Sequence, residues 1–280
     1  MKRDIRMILT DMDGTLLSPD LSVSACNLQA ISDARASGID IAIATGRPDL
    51  LVRDYVRRLG ISLPVVSCNG ALIRDCATEE IIHMHAIPPD SAAAILELCL
   101  DRGVDCLAYG PNIVWFPGYS RRISFFNEYN QLAKAGGTRL VDMRPYDESD
   151  LHSIAQDGIL KIFLGRIVEN DIEQATSAIR STIPGVDMIN SVGDSRDIMA
   201  AGTAKGEALR VLAAHAGFDP CQVAAFGDAE NDISMFESAG ISFAMSNAPA
   251  DVRAAATHVT ASNREDGFAL AVYRYILGKA

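Results

Sequence analysis

The feature that most limits the fold is a rhythm that stops and later resumes. From the N-terminus to about His85, short apolar runs alternate with amphipathic stretches. "IRMILTD" reads as a buried strand. "SVSACNLQAISDARASG" reads as a helix with Ser24 as N-cap and Gly38 as its stop. "IDIAIATGR" gives a second strand, Pro48 opens the helix "PDLLVRDYVRRLG", and "LPVVSCNGA" gives a third strand. Strands that alternate with helices are joined by right-handed crossovers, so they lie parallel with helices on both faces. "ALIRDCATEEIIHMH" is expected to append a hairpin.

After His85 the pattern changes. "PPDSAAAILELCLDRG" is helical, and "VDCLAYG" with "NIVWFPG" predicts an antiparallel pair. A helix over "ISFFNEYNQLAKAGG" carries much of the aromatic content. "DGILKIFLG", "ENDIEQATSAIRSTIPG" and "VDMINSVG" then predict strand, helix, strand. From Lys205 the earlier rhythm returns. "KGEALRVLAAHAG" and "ENDISMFESAG" are helices, "CQVAAFGD" and "ISFAMS" are the last two strands, and "PADVRAAA" and "DGFALAVYRYILG" are closing helices. The expected class is α/β: a Rossmann-like, doubly wound parallel sheet built from residues 1–85 and 194–280, with an α+β domain over 86–193 inserted into it.

Composition narrows the function. With 280 residues, 49% hydrophobic and 22% charged, the chain can bury a full core. No apolar stretch reaches the roughly 18 residues that span a bilayer, and "MKRDIRMILTD" does not read as a signal peptide. The expected location is the cytoplasm. A formal charge of -11 leaves no basic footprint for nucleic acid or an anionic membrane. The six cysteines form no CxxC pair and do not cluster with the five histidines, so they read as small buried hydrophobes, not as zinc ligands or disulfides.

In an open parallel sheet, ligands bind at the carboxyl ends of the strands. The polar residues at those ends are few. The first strand ends in Asp11 and Asp13, the second in Thr45 and Gly46 of "ATGR", and "VAAFGDAEND" ends in Asp228, Asn231 and Asp232. Lys205 begins the helix that restarts the core. Taken singly, each motif has a plain reading. "DMDGT" is a turn after a strand, "ATGR" a small-residue strand-to-helix turn, "GDAEND" an acidic helix start, and Lys205 a solvated lysine. Their shared position on one rim is what a set of independent turns does not explain.

"DMDGTLL", "ATGR", "AKGEAL" and "GDAENDISM", in this order, resemble the four motifs of the haloacid dehalogenase superfamily of phosphohydrolases. The block between the second and third motifs resembles the large α+β (type IIB) cap of its Cof-like branch. "CNGA" at 68–71 and "SNREDGFA" at 262–269 are similar to further stretches of that branch. The resemblance implies a phosphatase acting on a small phosphorylated metabolite, with sugar phosphates as the first expectation. A phosphomutase, or a binding protein without catalysis, would share the framework.

The resemblance also gives the crowded carboxylates a purpose. Two aspartates separated by one residue repel and are costly to desolvate, and a divalent cation removes that penalty. Mg2+ prefers a few carboxylates, water and phosphate oxygens. The implied ligands are Asp11, Asp228 and the backbone carbonyl of Asp13. Asp11 would be the nucleophile and Asp13 the acid and base. Lys205, Thr45, the Gly46 amide and Asn231 would hold the phosphoryl oxygens, with Asp232 orienting Lys205 or a metal-bound water. Arg47 is left between substrate and a neighbouring carboxylate. His83 and His85 read as surface or packing residues. Trp115, Phe116, Phe125 and Phe126 read as core of the inserted domain, and Arg121 with Arg122 as a solvated pair. An inserted cap would close over the site and choose the leaving group.

Overall fold

The computed structural model describes residues 4–135, 137, 139–165, 171–191 and 194–279. The chain divides into two compact units, Met1–His83 with Ala204–Ala280, and Met84–Thr203.

The first segment supplies β1 (Met7–Thr10), α1 (Ala25–Ala36), β2 (Asp40–Ile43), α2 (Arg53–Leu59) and β3 (Val65–Ser67). The hairpin β4 (Leu72–Arg74) and β5 (Ile81–Met84) follows. Ser24 caps α1 by accepting a hydrogen bond from the Asn27 amide at 3.1 Å, and Gly38 turns the chain with φ 79°. Pro48 leads first into a short turn over Asp49–Leu51, and α2 begins only at Arg53.

The inserted unit contains α3 (Pro89–Asp101), β6 (Asp105–Tyr109), β7 (Ile113–Pro117), α4 (Ile123–Ala135), β8 (Asp142–Tyr146), α5 (Leu151–Gln156), β9 (Lys161–Gly165), α6 (Asp171–Thr182), β10 (Val186–Asn190) and β11 (Arg196–Ala200). Its sheet runs β10-β11-β9-β6-β7-β8. Alternate residues of three neighbouring strands (Cys106 and Ala108, Ile162 and Leu164, Ile198) join α3, α5 and α6 in one apolar core. Three elements go beyond the sequence reading. β8 and α5 fall between the stretches it assigned, and β11 pairs with β9 and β10. That pairing moves the return to the core from residue 194 to residue 204. Polar "SRD" hides the strand until Ile198 to Ala200 are buried.

The return brings α7 (Lys205–His215), β12 (Val223–Gly227), α8 (Ile233–Ser238), β13 (Ile241–Met245), α9 (Ala250–Ala255), β14 (His258–Thr260) and α10 (Gly267–Ala271). The core sheet has the order β14-β13-β12-β1-β2, and every pair in it is parallel. β3 joins beside β2 through one bridge, Ala44 to Val66. β14 corrects the expected count, because "HVT" is too short to carry a period. The residues of the central strands alternate between two cores: Ile8, Ala224 and Phe226 face one, Met7, Leu9, Val223 and Ala225 the other. A sheet buried on both faces reads as a continuous apolar run, as these strands do.

Smaller expectations also need correcting. Cys68, Cys99 and Cys106 are buried, but Cys26 and Cys221 are exposed; none of the six is in a disulfide. Phe126 is buried while Phe125 is exposed. Arg122 is not a solvated side chain, since its guanidinium carbon lies 4.2 Å over the Phe163 ring. Among the described residues, no helix is long and apolar enough to cross a membrane.

Candidate active site

The site is built at the carboxyl ends of β1, β2 and β12, all within the first unit. Asp11 follows β1 directly, and its amide donates to the Phe226 carbonyl at 2.9 Å, extending the β1–β12 ladder by one residue. The chain then reverses. Asp13 (φ -75°, ψ 123°) and Gly14 (φ 80°, ψ -8°) have the angles of a type II turn. Gly14 is required twice over. Its φ is one that L side chains rarely adopt, and a Cβ there would overlap the Asp228 carboxylate.

Lys205 is the centre of the arrangement. Its Nζ donates to Asp11 Oδ1 and to Asp232 Oδ1, both at 2.6 Å, and its side chain is 0% exposed. It is the first residue of α7, where the helix dipole disfavours a cation. Helix stability therefore does not explain the lysine; the two carboxylates do. Burial alone would lower the Lys205 pKa, but Asp11 and Asp232 hold it above its ordinary value. Asp232 is fixed on its other side as well, since Oδ2 accepts from the amides of Asp228 and Ala229 at 2.9 and 3.0 Å.

Asp228 lies beside this pair. Its Oδ1 accepts from Thr15 Oγ1 at 2.8 Å and its Oδ2 from Asn247 Nδ2 at 3.2 Å. One carboxylate oxygen each from Asp11, Asp228 and Asp232 lie within 4.8 Å of one another. Burial pushes Asp11 up to about 8, with Lys205 opposing and Asp232 and Asp228 adding. Burial likewise pushes Asp228 up to about 6. These three acids outnumber the one ammonium among them, and a divalent cation would relieve that surplus. Asp232 already gives both oxygens to Lys205 and two amides, which leaves Asp11 and Asp228 as the carboxylates suited to an ion. The donor set is all oxygen, as a hard cation requires.

The second strand's end is organised around Thr45. Its Oγ1 accepts from the Arg47 amide at 3.1 Å, and its carbonyl accepts from the Asn69 amide at 3.0 Å. Gly46 lies close under Asn69, whose Oδ1 would be 2.9 Å from a Cβ at this position. Asn69, left-handed at φ 59°, also accepts from Asn231 Nδ2 at 2.8 Å. The Asp13 carboxylate bonds a different cation, Arg47. The guanidinium holds it with two bonds, Nε to Oδ2 at 2.7 Å and Nη2 to Oδ1 at 2.5 Å. Of the two fates left open for Arg47, contact with a neighbouring carboxylate is the one found.

Sequence reasoning assigned no role to four residues that complete this site. Thr15 sits inside the first motif, and its hydroxyl fixes Asp228. Asn69 belongs to "CNGA", which the sequence marks only as a stretch. Asn247, after β13, bridges the Gly14 carbonyl and Asp228. Asn263 of "SNREDGFA" supports Asn247 through its amide at 3.1 Å and bonds the Leu17 carbonyl with its side chain at 2.8 Å. A polar residue just past the end of a buried strand was the available signal for Asn247.

Comparison with known proteins gives the family. A family model described as haloacid dehalogenase-like hydrolase matches residues 8–272. The pyridoxal phosphate phosphatase YbhA of Escherichia coli (strain K12) is 26% identical over 276 residues, with 97% of this chain and 99% of that protein covered. The 5-amino-6-(5-phospho-D-ribitylamino)uracil phosphatase YcsE of Bacillus subtilis (strain 168) is 27% identical, covering 98% and 97%. Among solved structures, a haloacid dehalogenase-like hydrolase from Bacteroides thetaiotaomicron superposes with TM-score 0.82 at 23% identity, over 96% of this chain and 99% of that one. The HAD subclass IIB sugar phosphatase BT4131 gives 0.78 at 25%, over 96% and 98%.

Proposed function

The chain belongs to the haloacid dehalogenase-like hydrolases, as a phosphatase of the Cof-like branch acting on small phosphorylated metabolites, and we propose that it is Mg2+-dependent, works through an aspartyl-phosphate on Asp11 and takes sugar phosphates. The observation that carries this reading is Lys205, buried at a helix start and bonded to acids from two distant segments.

Asp11 is the nucleophile in this reading. Its oxygen attacks phosphorus in line, the new P–O bond forming as the bond to the leaving oxygen breaks. Asp13 gives its proton to that oxygen, then takes one from the water that attacks phosphorus and frees Asp11. Lys205 faces the phosphoryl oxygens with a fixed charge, and Thr45, the Gly46 amide and Asn231 add donors. Most of the acceleration in such reactions comes from charge stabilisation and positioning. Asp11, Asp228 and the Asp13 carbonyl would hold Mg2+, which when bound neutralises the acids and draws charge from the phosphoryl group. Asp232 orients Lys205. We assign the choice of substrate to residues 84–203. Sugar phosphates are favoured by the likeness to BT4131, described as a sugar phosphatase, while YbhA and YcsE, named for other phosphate esters, define the competing panel.

The test is a panel of sugar, nucleotide and cofactor phosphates assayed for inorganic phosphate with Mg2+ and with chelator. Asp11→Asn is expected to lose at least about a thousandfold in kcat. A mutant that retained turnover would remove Asp11 as nucleophile, and interconversion of isomers without phosphate release would make the protein a mutase.

A further inference from the structure

Asp11 and Asp13 are two residues apart and are held in opposite ways. Asp11 is locked by a buried lysine. Asp13 has a side chain 48% exposed, and among the described residues Arg47 is the one group hydrogen-bonded to its carboxylate. We infer that Arg47 is a positioning residue that acts on the reaction through Asp13 and not through the substrate's phosphate. The inference rests on the reading of Asp13 as acid and base given above.

Three observations carry it. First, both bonds run from one edge of the guanidinium to both oxygens, the fork geometry that fixes a carboxylate in orientation as well as in place. Second, Arg47 is itself anchored. Its amide is bound by Thr45 Oγ1, its carbonyl accepts from the Cys68 amide at 3.0 Å, and the Tyr55 hydroxyl interacts with its guanidinium. Tyr55 in turn donates to the Leu21 carbonyl at 2.8 Å, in the loop that follows the first motif. Third, a carboxyl group has about four oxygen sites and Arg47 occupies two, so a site remains to carry the proton that passes to the leaving oxygen and to take one back from water. Without the guanidinium, a half-exposed aspartate distributes over about three staggered wells, and the productive one is diluted.

The experiment measures the burst of phenol released in a single turnover, using phenyl phosphate and p-nitrophenyl phosphate with Mg2+. The first ester needs a proton at its leaving oxygen much more than the second. Arg47→Ala is expected to slow the phenyl ester about tenfold and the p-nitrophenyl ester about twofold, with KM changed less than about threefold. Arg47→Lys, which keeps the charge but not the fork, is expected to fall between the mutant and the wild type, and a soluble, Mg2+-responsive Arg47→Lys protein guards against misfolding as the cause. Equal losses for both esters, or a loss carried in KM, would overturn the inference and make Arg47 a substrate contact. Asp13→Asn separates the two levels of the argument. If it leaves the phenyl ester at the wild-type rate, Asp13 is not the acid, and the reading beneath the inference goes with it.

Discussion

Each unit of the molecule buries a lysine against aspartate, and the two arrangements differ in what surrounds the charge. In the inserted unit, Lys161 of β9 meets Asp197 of β11 at 3.0 Å, with the Tyr109 ring 5.0 Å from its Nζ. Those two strands are sheet neighbours, so the contact ties one sheet across its face. In the core, Lys205 stands at a helix start and its acids come from loops after β1 and β12, with a third, Asp228, beside them. The first is a cross-strand contact that helps specify a sheet. The second concentrates more negative charge than its one ammonium balances, a surplus that a cation would relieve. A buried ion pair by itself therefore says little about function; the location of its members and the sign of the excess charge say more.

The sharpest way to break this contrast is by substitution. Lys205→Met leaves Asp11 and Asp232 buried without their cation, and should cost about 3–5 kcal/mol in urea melts of chelated protein. Replacing Lys161 and Asp197 together by Met and Leu should cost much less, because both charges leave at once. Equal losses would mean that removing Lys205 does not leave Asp11 and Asp232 uncompensated.

Acidity sharpens it next. Asp11 and Asp228 have folded-state values raised to about 8 and about 6. A raised acid favours folding while protonated, fully so below its unfolded value near 4, and that contribution is lost as pH rises through the folded values. Chelated protein should therefore lose stability between pH 5 and pH 8.5, read as a falling Tm. The Tm gain from Mg2+ should grow over the same window, because the ion competes with those protons. A chelated protein whose Tm rose with pH would contradict the charge surplus.

The smallest expected effect concerns support of the acids. Asn247→Ala removes a donor to Asp228 and to the Gly14 carbonyl. The Mg2+ concentration for half-maximal activity should rise about tenfold, with kcat at saturating Mg2+ nearly unchanged. An unchanged Mg2+ response would show that Thr15 alone holds Asp228.

The legible part of the fold and site was whatever local chemistry forces. β1, β2 and β12 are apolar runs ending in acid or hydroxyl, and Asp11, Asp232 and Lys205 are in contact in the structure. Gly14 was legible as a turn residue, although its closeness to Asp228 was not. Asn69, Asn247 and Asn263 are hard to see because an asparagine in a loop is ordinary, and only the fold shows that Asn69 meets Asn231 and that Asn247 meets Asn263. β11 and β14 were missed because a strand of three to five residues with one polar end has too little period to read. Arg47 was undecided because its partner is set by a turn 34 residues away.

The placement of β1 has a consequence for how the protein is made. Its two sheet partners are β2, which follows it closely, and β12, which begins only at Val223. While the chain emerges from the ribosome, the strand that ends at Asp11 has one edge bare until the whole insertion has been synthesised. Such delayed, long-range closure slows folding and leaves a sticky edge open. The insertion, whose strands all pair within 84–203, has what it needs to collapse first, so nascent-chain protection should appear there before it appears around Asp11 and Asp13.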